Sequence, residues 1–236
     1  MPRTTQTTTR TSPCSGLKRL SCSSAVEDWG AGVFTGCTGL RCLDIRVAEG
    51  RKSCFKDILS ELHQTLSVNY RSGSGTLLAK LIFPEFFEES VENTPARIIM
   101  REMHGCGHMY RYCFEQTDFR FSKYDALFPH IKVQEPERVV CALVMGRLRY
   151  PAELMEQYRG AYEEYLKEHM GGAAEWALSE GDTETFFWLA DRYGERKETL
   201  DKMIELAGRK GETEALSGLM DLRHRRFPVK KRTFSL

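Results

Sequence analysis

The sequence predicts an α+β protein: a short N-terminal stack of repeats, a small antiparallel β segment and a C-terminal helical repeat. Three observations lead to this prediction. A segment near the N-terminus recurs after 23 residues. The middle of the chain alternates strand-like runs with turn residues, and the C-terminal third repeats at a period of 30 residues with helical spacing.

The N-terminal repeat pairs Cys14–Leu20 with Cys37–Leu43. Leucines at fixed offsets, recurring every ~20–29 residues, are typical of leucine-rich repeats, in which each unit adds one short strand to a curved stack. A third, degenerate unit over 55–66 fits either this spacing or a short helix. We expect the residues between the leucines to line the strand-bearing face and the following to point inward: Cys14, Leu17, Leu20, Cys37, Leu40 and Leu43.

The middle segment is predicted to be β-rich. Apolar and β-branched runs predict strands over Thr76–Phe83 and Arg97–Met103, and alternating aromatic and polar residues predict a third over Met109–Glu115. The glycines of His104–His108 predict a hairpin loop between the last two strands. The acidic residues that follow Pro84 are interpreted as a solvated face.

From Lys123 onward the pattern is helical. A short helix is predicted over Tyr124–His130, and Pro136 is placed at the start of a longer one, where its missing N–H costs nothing. The next helix is predicted to end at Gly171 and Gly172.

The C-terminal repeat aligns Ala173–Tyr193 with Met203–Arg223 without a gap. Gly181 and Gly211 are predicted to break each unit into two helices, and Asp182 is placed where a carboxylate favours the start of the second helix. Two such pairs cannot form a stable array alone, so they are expected to pack on the helices before them.

These patterns divide the chain into four regions. Residues 1–13 are predicted to be a flexible N-terminus and 14–70 to hold degenerate leucine-rich repeats. Residues 71–121 are the small β-rich segment, and 122–236 form a helical domain with two helix-turn-helix repeats of ~30 residues.

Composition narrows the classes of partner. The 236 residues carry 34 basic and 33 acidic side chains, so no global field attracts nucleic acid or an anionic membrane surface. No apolar run reaches the length of a membrane span, and the N-terminus lacks the apolar core of a secretory signal. Eight cysteines in such a chain are interpreted as reduced thiols of a cytoplasmic protein.

The Cys-x-x-Leu-x-x-Leu units and Phe34–Leu40 resemble the cysteine-containing, surface-antigen type of leucine-rich repeat found in anaerobic gut bacteria. The segments Ala177–Glu184 and Ala207–Glu214 look like ankyrin helix pairs, although the ankyrin Thr-Pro-Leu-His opening is absent and an acid replaces the usual His. Together the arrangement is similar to uncharacterised repeat proteins of Clostridia-like bacteria. The resemblance implies protein binding, and no catalytic residue carries over from either family.

One cluster has residue types that bind zinc: His104, Cys106, His108 and Cys113. Their spacing is not a standard zinc spacing, and a glycine-rich hairpin with one core cysteine explains the same residues. The same stretch could instead hold a cysteine nucleophile beside a histidine, but no family signature of a cysteine protease is present. No metal, cofactor or catalytic residue is therefore assigned.

The basic stretch Arg223–Arg232 has two interpretations. It could be a tail for nucleic acid or an acidic partner, or its arginines could neutralise the C-terminal dipole of the last helix, which Pro228 ends. The second interpretation is preferred.

The sequence thus predicts a non-enzymatic protein–protein interaction module with an unknown partner. The alternatives are a zinc-stabilised binding module around His104–Cys113 and a cysteine-dependent enzyme.

Overall fold

The computed structural model describes residues 16–26, 30, 32–48, 53–93 and 98–228. The predicted flexible segment 1–13 and the repeat cysteine Cys14 lie outside the described residues. The chain is mixed α+β and falls into two compact units, with the boundary between His130 and Ile131. Each unit is described by itself.

The first unit is built on a four-stranded sheet. Its strands are β1 (Arg19–Ser23), β2 (Cys42–Arg46), β3 (Leu66–Arg71) and β4 (Leu77–Phe83). They lie in chain order, with β1, β2 and β3 parallel and β4 antiparallel to β3. The strand predicted over 76–83 is confirmed as β4.

The register of the parallel strands follows the sequence repeat. Arg19 pairs with Cys42, a displacement of 23 residues, and Cys42 pairs with Ser67, a displacement of 25. The degenerate third unit therefore supplies both a helix, α1 (Phe55–Glu61), and a strand, β3. Each unit adds one strand to the sheet, and the longer third unit accommodates the helix.

The leucine positions of the second unit point inward as expected, and those of the first do so only in part. Cys37, Leu40 and Leu43 are buried, whereas Leu17 is 38% exposed and Leu20 is half-buried. The expectation for Leu17 is wrong because β1 ends the sheet, so no further strand among the described residues covers it.

Aromatic rings fill the core on the inner face of the sheet. Phe55 of α1 lies with its ring centroid 5.5–5.9 Å from those of four other rings. Two of the four come from sheet strands and two from the segment after α1 and the sheet. These neighbours are Tyr70, Phe83, Phe114 and Phe119.

A two-stranded hairpin follows the sheet. It pairs β5 (Phe87–Asn93) with β6 (Ile98–His104) in antiparallel register from Phe87–His104 to Asn93–Ile98. The strand predicted over 97–103 is confirmed. The acidic stretch after Pro84 was not predicted as a strand, because glutamates have low strand propensity.

The predicted strand over 109–115 and its hairpin loop at 104–108 are wrong. The chain instead forms a short helix, α2 (Gly107–Arg111), followed by the small hairpin β7 (Phe114–Glu115) and β8 (Asp118–Phe119). Gly107 lies so close to the carbonyl of Pro84 that a Cβ would collide with it. This approach holds the start of α2 against the end of β4 and overrides the alternating pattern of the sequence.

Helices make up the rest of the described chain. The short helices α3 (Phe121–Ala126) and α4 (Phe128–Gln134) come first, in place of the single helix predicted over 124–130. The stack that follows comprises α5 (Glu137–Arg149), α6 (Glu156–Glu168), α7 (Met170–Ser179), α8 (Thr183–Tyr193), α9 (Lys197–Lys210) and α10 (Thr213–Arg226).

The helical repeat predicted from the sequence is present as two helix pairs, α7–α8 and α9–α10. Gly181 and Gly211 separate the helices of each pair with left-handed backbones, φ +66° and +75°. The carboxylate of Asp182 accepts a hydrogen bond from Thr185 N at 2.9 Å and caps α8. The first pair packs on the preceding helices through α5 and α6. The predicted start at Pro136 is also confirmed.

The expected helix end at Gly171 and Gly172 is wrong. Helix α6 ends at Glu168, and both glycines lie in the first turn of α7. Gly172 leaves room for the side chain of Glu137, which a Cβ at this position would strike. The glycine therefore serves close packing against α5 and does not stop a helix.

Candidate functional site

The four residues of the predicted zinc cluster lie on separate short elements. His104 ends β6, Cys106 precedes α2, His108 lies in α2 and Cys113 follows it. The described part of the chain, which includes all four, contains no group of three or more His, Cys, Asp or Glu side chains placed to hold a metal ion. The fold does not bring the cluster together.

Each of these side chains has another contact. The His104 ring stacks on Phe87 at 4.5 Å, and its Nε2 lies 3.2 Å from Glu89 Oε2. His108 Nδ1 lies 3.1 Å from Gly105 O, within hydrogen-bond distance. The thiol of Cys113 donates to Met109 O at 3.7 Å, and Cys106 is fully buried.

The buried thiols are not activated as nucleophiles. Burial raises the pKa of Cys113 to about 12, against an ordinary value of 9.0. Burial likewise raises the pKa values of Cys22 and Cys141 to about 12. A nucleophilic cysteine needs a depressed pKa, because the thiolate is the reacting species. These three residues remain protonated thiols at neutral pH.

The second unit has a groove of about 890 Å³ between α6, α7, α8 and α9. Apolar side chains on α7 and α9 form its floor. Ala174 and Met203 are buried at the base, whereas Met170 and Leu206 are half-buried and remain partly accessible. The groove therefore presents a small apolar centre within a surface that is otherwise charged.

Charged side chains form the rim of this groove. They are Glu163, Lys167, Glu168, Arg192, Glu195, Arg196 and Lys202. Arg192 Nη2 and Glu163 Oε1 form an ion pair at 3.2 Å, which joins α8 to α6. Lys167, Arg196 and Lys202 are exposed and form no ion pair within the described part of the molecule. The rim thus offers long, solvated charges around an apolar floor.

The arginines at the end of α10 are engaged within the second unit. Arg223 pairs with Asp201, and Arg225 pairs with Asp221 at 2.9 Å. Residues 229–232 of the predicted basic tail lie outside the described residues.

Arg226 makes the most contacts of these arginines. It donates to the carbonyls of Ala190, Asp191 and Gly194 and pairs with the Asp191 carboxylate at 2.6 Å. It therefore caps the C-terminal end of α8, whereas the sequence placed its charge at the end of its own helix.

The first unit presents a polar outer face on its sheet, opposite the aromatic core. Burial alternates along β2, where Leu43 and Ile45 are buried while Cys42 and Asp44 are only half-buried and Arg46 is exposed. The register places Ser21, Asp44, Asn69 and Lys80 in one row across the four strands. The sequence repeat predicted such a face. It did not predict β4, whose contribution depends on an antiparallel pairing that the repeat does not encode.

Asp44 organises the middle of this outer face. Its Oδ1 accepts from Arg71 Nε at 3.0 Å, and its Oδ2 accepts from Asn69 Nδ2 at 3.2 Å. Arg71 also donates to Gly75 O at 3.1 Å. These bonds fix polar side chains of two neighbouring strands in one layer.

Sequence reasoning did not locate the groove. Its floor combines residues of α7 and α9, which are equivalent helices of the two repeat units. The 30-residue period could have shown that these helices neighbour each other, but the half-buried state of Leu206 depends on tertiary packing.

Comparison of the chain with protein-family models, with curated proteins and with solved structures finds no match. Within the described ranges, no helix is long and apolar enough to cross a membrane.

Proposed function

We propose that this protein is a non-enzymatic protein–protein interaction module whose helical unit binds a peptide segment of a partner in the groove between α6, α7, α8 and α9. The groove's composition carries the proposal. Its apolar floor of Met170, Ala174, Met203 and Leu206 is surrounded by charged side chains. An apolar core within a polar rim is the arrangement found in protein–protein interfaces.

The polar groups of the groove suit a peptide better than a small substrate. A small-molecule site fixes its ligand with a few precisely placed polar groups. Here Lys167, Arg196 and Lys202 are exposed ends of long side chains, which can steer a charged partner but do not form a rigid frame. Affinity would then come from apolar anchors that enter between the half-buried Met170 and Leu206.

The two kinds of repeat support the same interpretation. We infer that β1, β2 and β3 belong to leucine-rich units, since successive strands follow the 23-residue period with one insertion. We infer likewise that α7–α8 and α9–α10 are ankyrin-like pairs, since each turns at a left-handed glycine. Stacked repeats create extended binding surfaces between neighbouring units.

A reducing compartment such as the cytoplasm fits the cysteines. The seven cysteines of the described segments are all free. Most of them are buried, as small apolar core residues are.

Selection from a displayed random-peptide library on the purified full chain tests the groove. We expect enriched peptides to bind the wild type in solution and to lose at least tenfold in affinity for Leu206→Arg, which places a charge on the apolar floor. The matched control is Met220→Arg on α10, where a methionine that is 57% exposed lies outside the groove lining. This control should bind like the wild type.

A second variant guards against misfolding of the first. Lys202→Glu changes an exposed rim charge, and circular dichroism would establish that both variants keep the helical content of the wild type. Equal affinity of the wild type and both groove variants would overturn the proposal, as would a selection that enriches no peptide.

A further inference from the structure

The outer face of the first unit's sheet concentrates positive charge in a nearly neutral chain. Four basic residues occupy outward positions on the four strands: Arg19, Arg46, Arg71 and Lys80. Asp44 is the acidic residue that the strands contribute to this face, and the described Arg71 side chain already pairs with it at 3.0 Å. The formal charge of the whole chain is only +1, so this local excess is a property of the fold.

Two of these arginines have charges that other residues of the unit do not neutralise. Arg19 and Arg46 are exposed, and neither forms an ion pair within the described part of the molecule. They lie on adjacent strands, Arg19 opposite Cys42 and Arg46 opposite Ser23. The face therefore holds accessible guanidinium groups on both β1 and β2.

The turn between β3 and β4 brings two guanidinium groups to one corner of the face. Arg71 Nη1 donates to Gly75 O at 3.1 Å. The guanidinium of Arg46 lies 3.7 Å from the position that a Cβ of Gly75 would occupy. Arg46 and Arg71 thus both lie beside Gly75, where planar groups able to donate in pairs can meet a carboxylate.

Neutral donors and acceptors surround these charges. Ser21, Ser23 and Ser67 occupy outward strand positions, and Asn69 is held against Asp44. In the β3–β4 turn, the hydroxyls of Ser72 and Ser74 lie 2.7 Å apart. Such groups can hydrogen-bond to an extended main chain, which needs both donors and acceptors.

We propose that the outer face of the β1–β4 sheet is a second binding surface, which takes an acidic segment of a partner protein. Carboxylates of that segment bind Arg19 and Arg46, and its main chain lies over the serine and asparagine row. The surface belongs to the first unit and does not depend on the groove of the second.

The face favours an acidic protein segment over a nucleic acid. The outward positions of β1, β2 and β3 carry no aromatic side chain on which a base could stack. Asp44 occupies the middle of the face, where it would repel a continuous phosphate backbone. A peptide with separated carboxylates can place its charges on the arginines and leave Asp44 uncovered.

Fluorescence anisotropy with a labelled peptide of alternating glycine and glutamate tests this proposal. We expect saturable binding to the full chain in low salt that weakens as salt rises, because exposed charges are screened. Arg46→Glu should weaken binding at least tenfold. Lys56→Glu, on the helix that covers the opposite face of the sheet, makes the same charge change and should stay within twofold of the wild type.

Three further measurements separate the alternatives. Arg19→Glu, on the exposed first strand, repeats the test if Arg46→Glu fails to fold. Leu206→Arg should bind this peptide normally, so failure of the groove proposal leaves the present one intact. Equal weakening by Lys56→Glu, or tighter binding of a single-stranded thymidine oligonucleotide at the same site, would overturn the assignment of an acidic protein segment.

Discussion

The hydroxyl group of Tyr124 satisfies both main-chain groups of Ile82 at the free edge of β4. Ile82 N donates to Tyr124 Oη at 2.9 Å, and Tyr124 Oη donates to Ile82 O at 2.7 Å. Strand β4 ends the four-stranded sheet, so these groups have no neighbouring strand among the described residues. A single side chain from α3 thus covers an edge that could otherwise pair with another chain.

We expect Tyr124→Phe to destabilise the first unit. The substitution keeps the ring but leaves a buried N–H and a buried carbonyl without their partner, which costs about 1–3 kcal/mol. Urea unfolding followed by circular dichroism measures this loss. Tyr112→Phe is the matched control because Tyr112 is 75% exposed, and its removal should change the unfolding free energy by less than about 0.5 kcal/mol. Equal effects of the two variants would contradict the role assigned to Tyr124.

Arg111 joins four carbonyl groups through one buried guanidinium. It donates to Leu62 O, Gln64 O, Pro84 O and Gly107 O at distances of 2.6–2.8 Å. Burial lowers its pKa to about 10, so it remains charged at neutral pH. These bonds connect the end of α1 and the start of β3 with the end of β4 and with α2.

We expect Arg111→Lys to lose much of this connection, because an ammonium group cannot reproduce the planar fork of a guanidinium. The loss should be roughly 3 kcal/mol, the cost of buried carbonyls that lose charge-assisted partners. The urea midpoint measures it. Arg120→Lys, at an exposed ion pair with Glu115, should leave the midpoint almost unchanged. A similar midpoint for both variants would mean that Arg111 is not a structural clamp.

The raised pKa of Cys113 predicts a loss of stability in alkali. In the unfolded chain the thiol ionises near its ordinary value of 9.0, whereas in the folded chain its pKa is about 12. Ionisation therefore favours the unfolded state as pH rises from 9 to 12, by about 1.4 kcal/mol per pH unit. The contribution of the buried thiol is fully present below pH 9.

Comparison with Cys113→Ala isolates this effect from other titrating groups. The wild type should lose about 1 kcal/mol more than the variant between pH 8 and pH 10, measured by urea unfolding at each pH. Parallel pH profiles for the two proteins would show that Cys113 ionises equally in both states.

Regular periodicity predicted the parts of the fold that depend on local sequence. The 23-residue repeat anticipated that Leu40 and Leu43 are buried beside successive strands, and the 30-residue repeat anticipated the turns at Gly181 and Gly211. Each of these features recurs because neighbouring units bury equivalent residues.

The features that sequence reasoning missed depend on contacts between distant segments. Met109–Glu115 alternates like a strand, but the approach of Gly107 to Pro84 and the four bonds of Arg111 make most of it helical. The candidate binding surfaces follow the same logic. The repeat predicted a polar face on β1 and β2, whereas the charge of Lys80 joins that face only through the antiparallel pairing of β4.

Two glycines in α9 and at its end provide opposite tests of backbone conformation. Gly211 has φ +75° and ends the helix, whereas Gly208 lies inside the helix with open space where a Cβ would stand. Gly211→Ala should destabilise the second unit by roughly 1 kcal/mol, because alanine disfavours the left-handed region. Gly208→Ala should stabilise it by about 0.5–1 kcal/mol, because alanine favours a helix interior. Thermal unfolding of both variants gives the two signs, and a destabilising Gly208→Ala would show that this position is not a free helical surface.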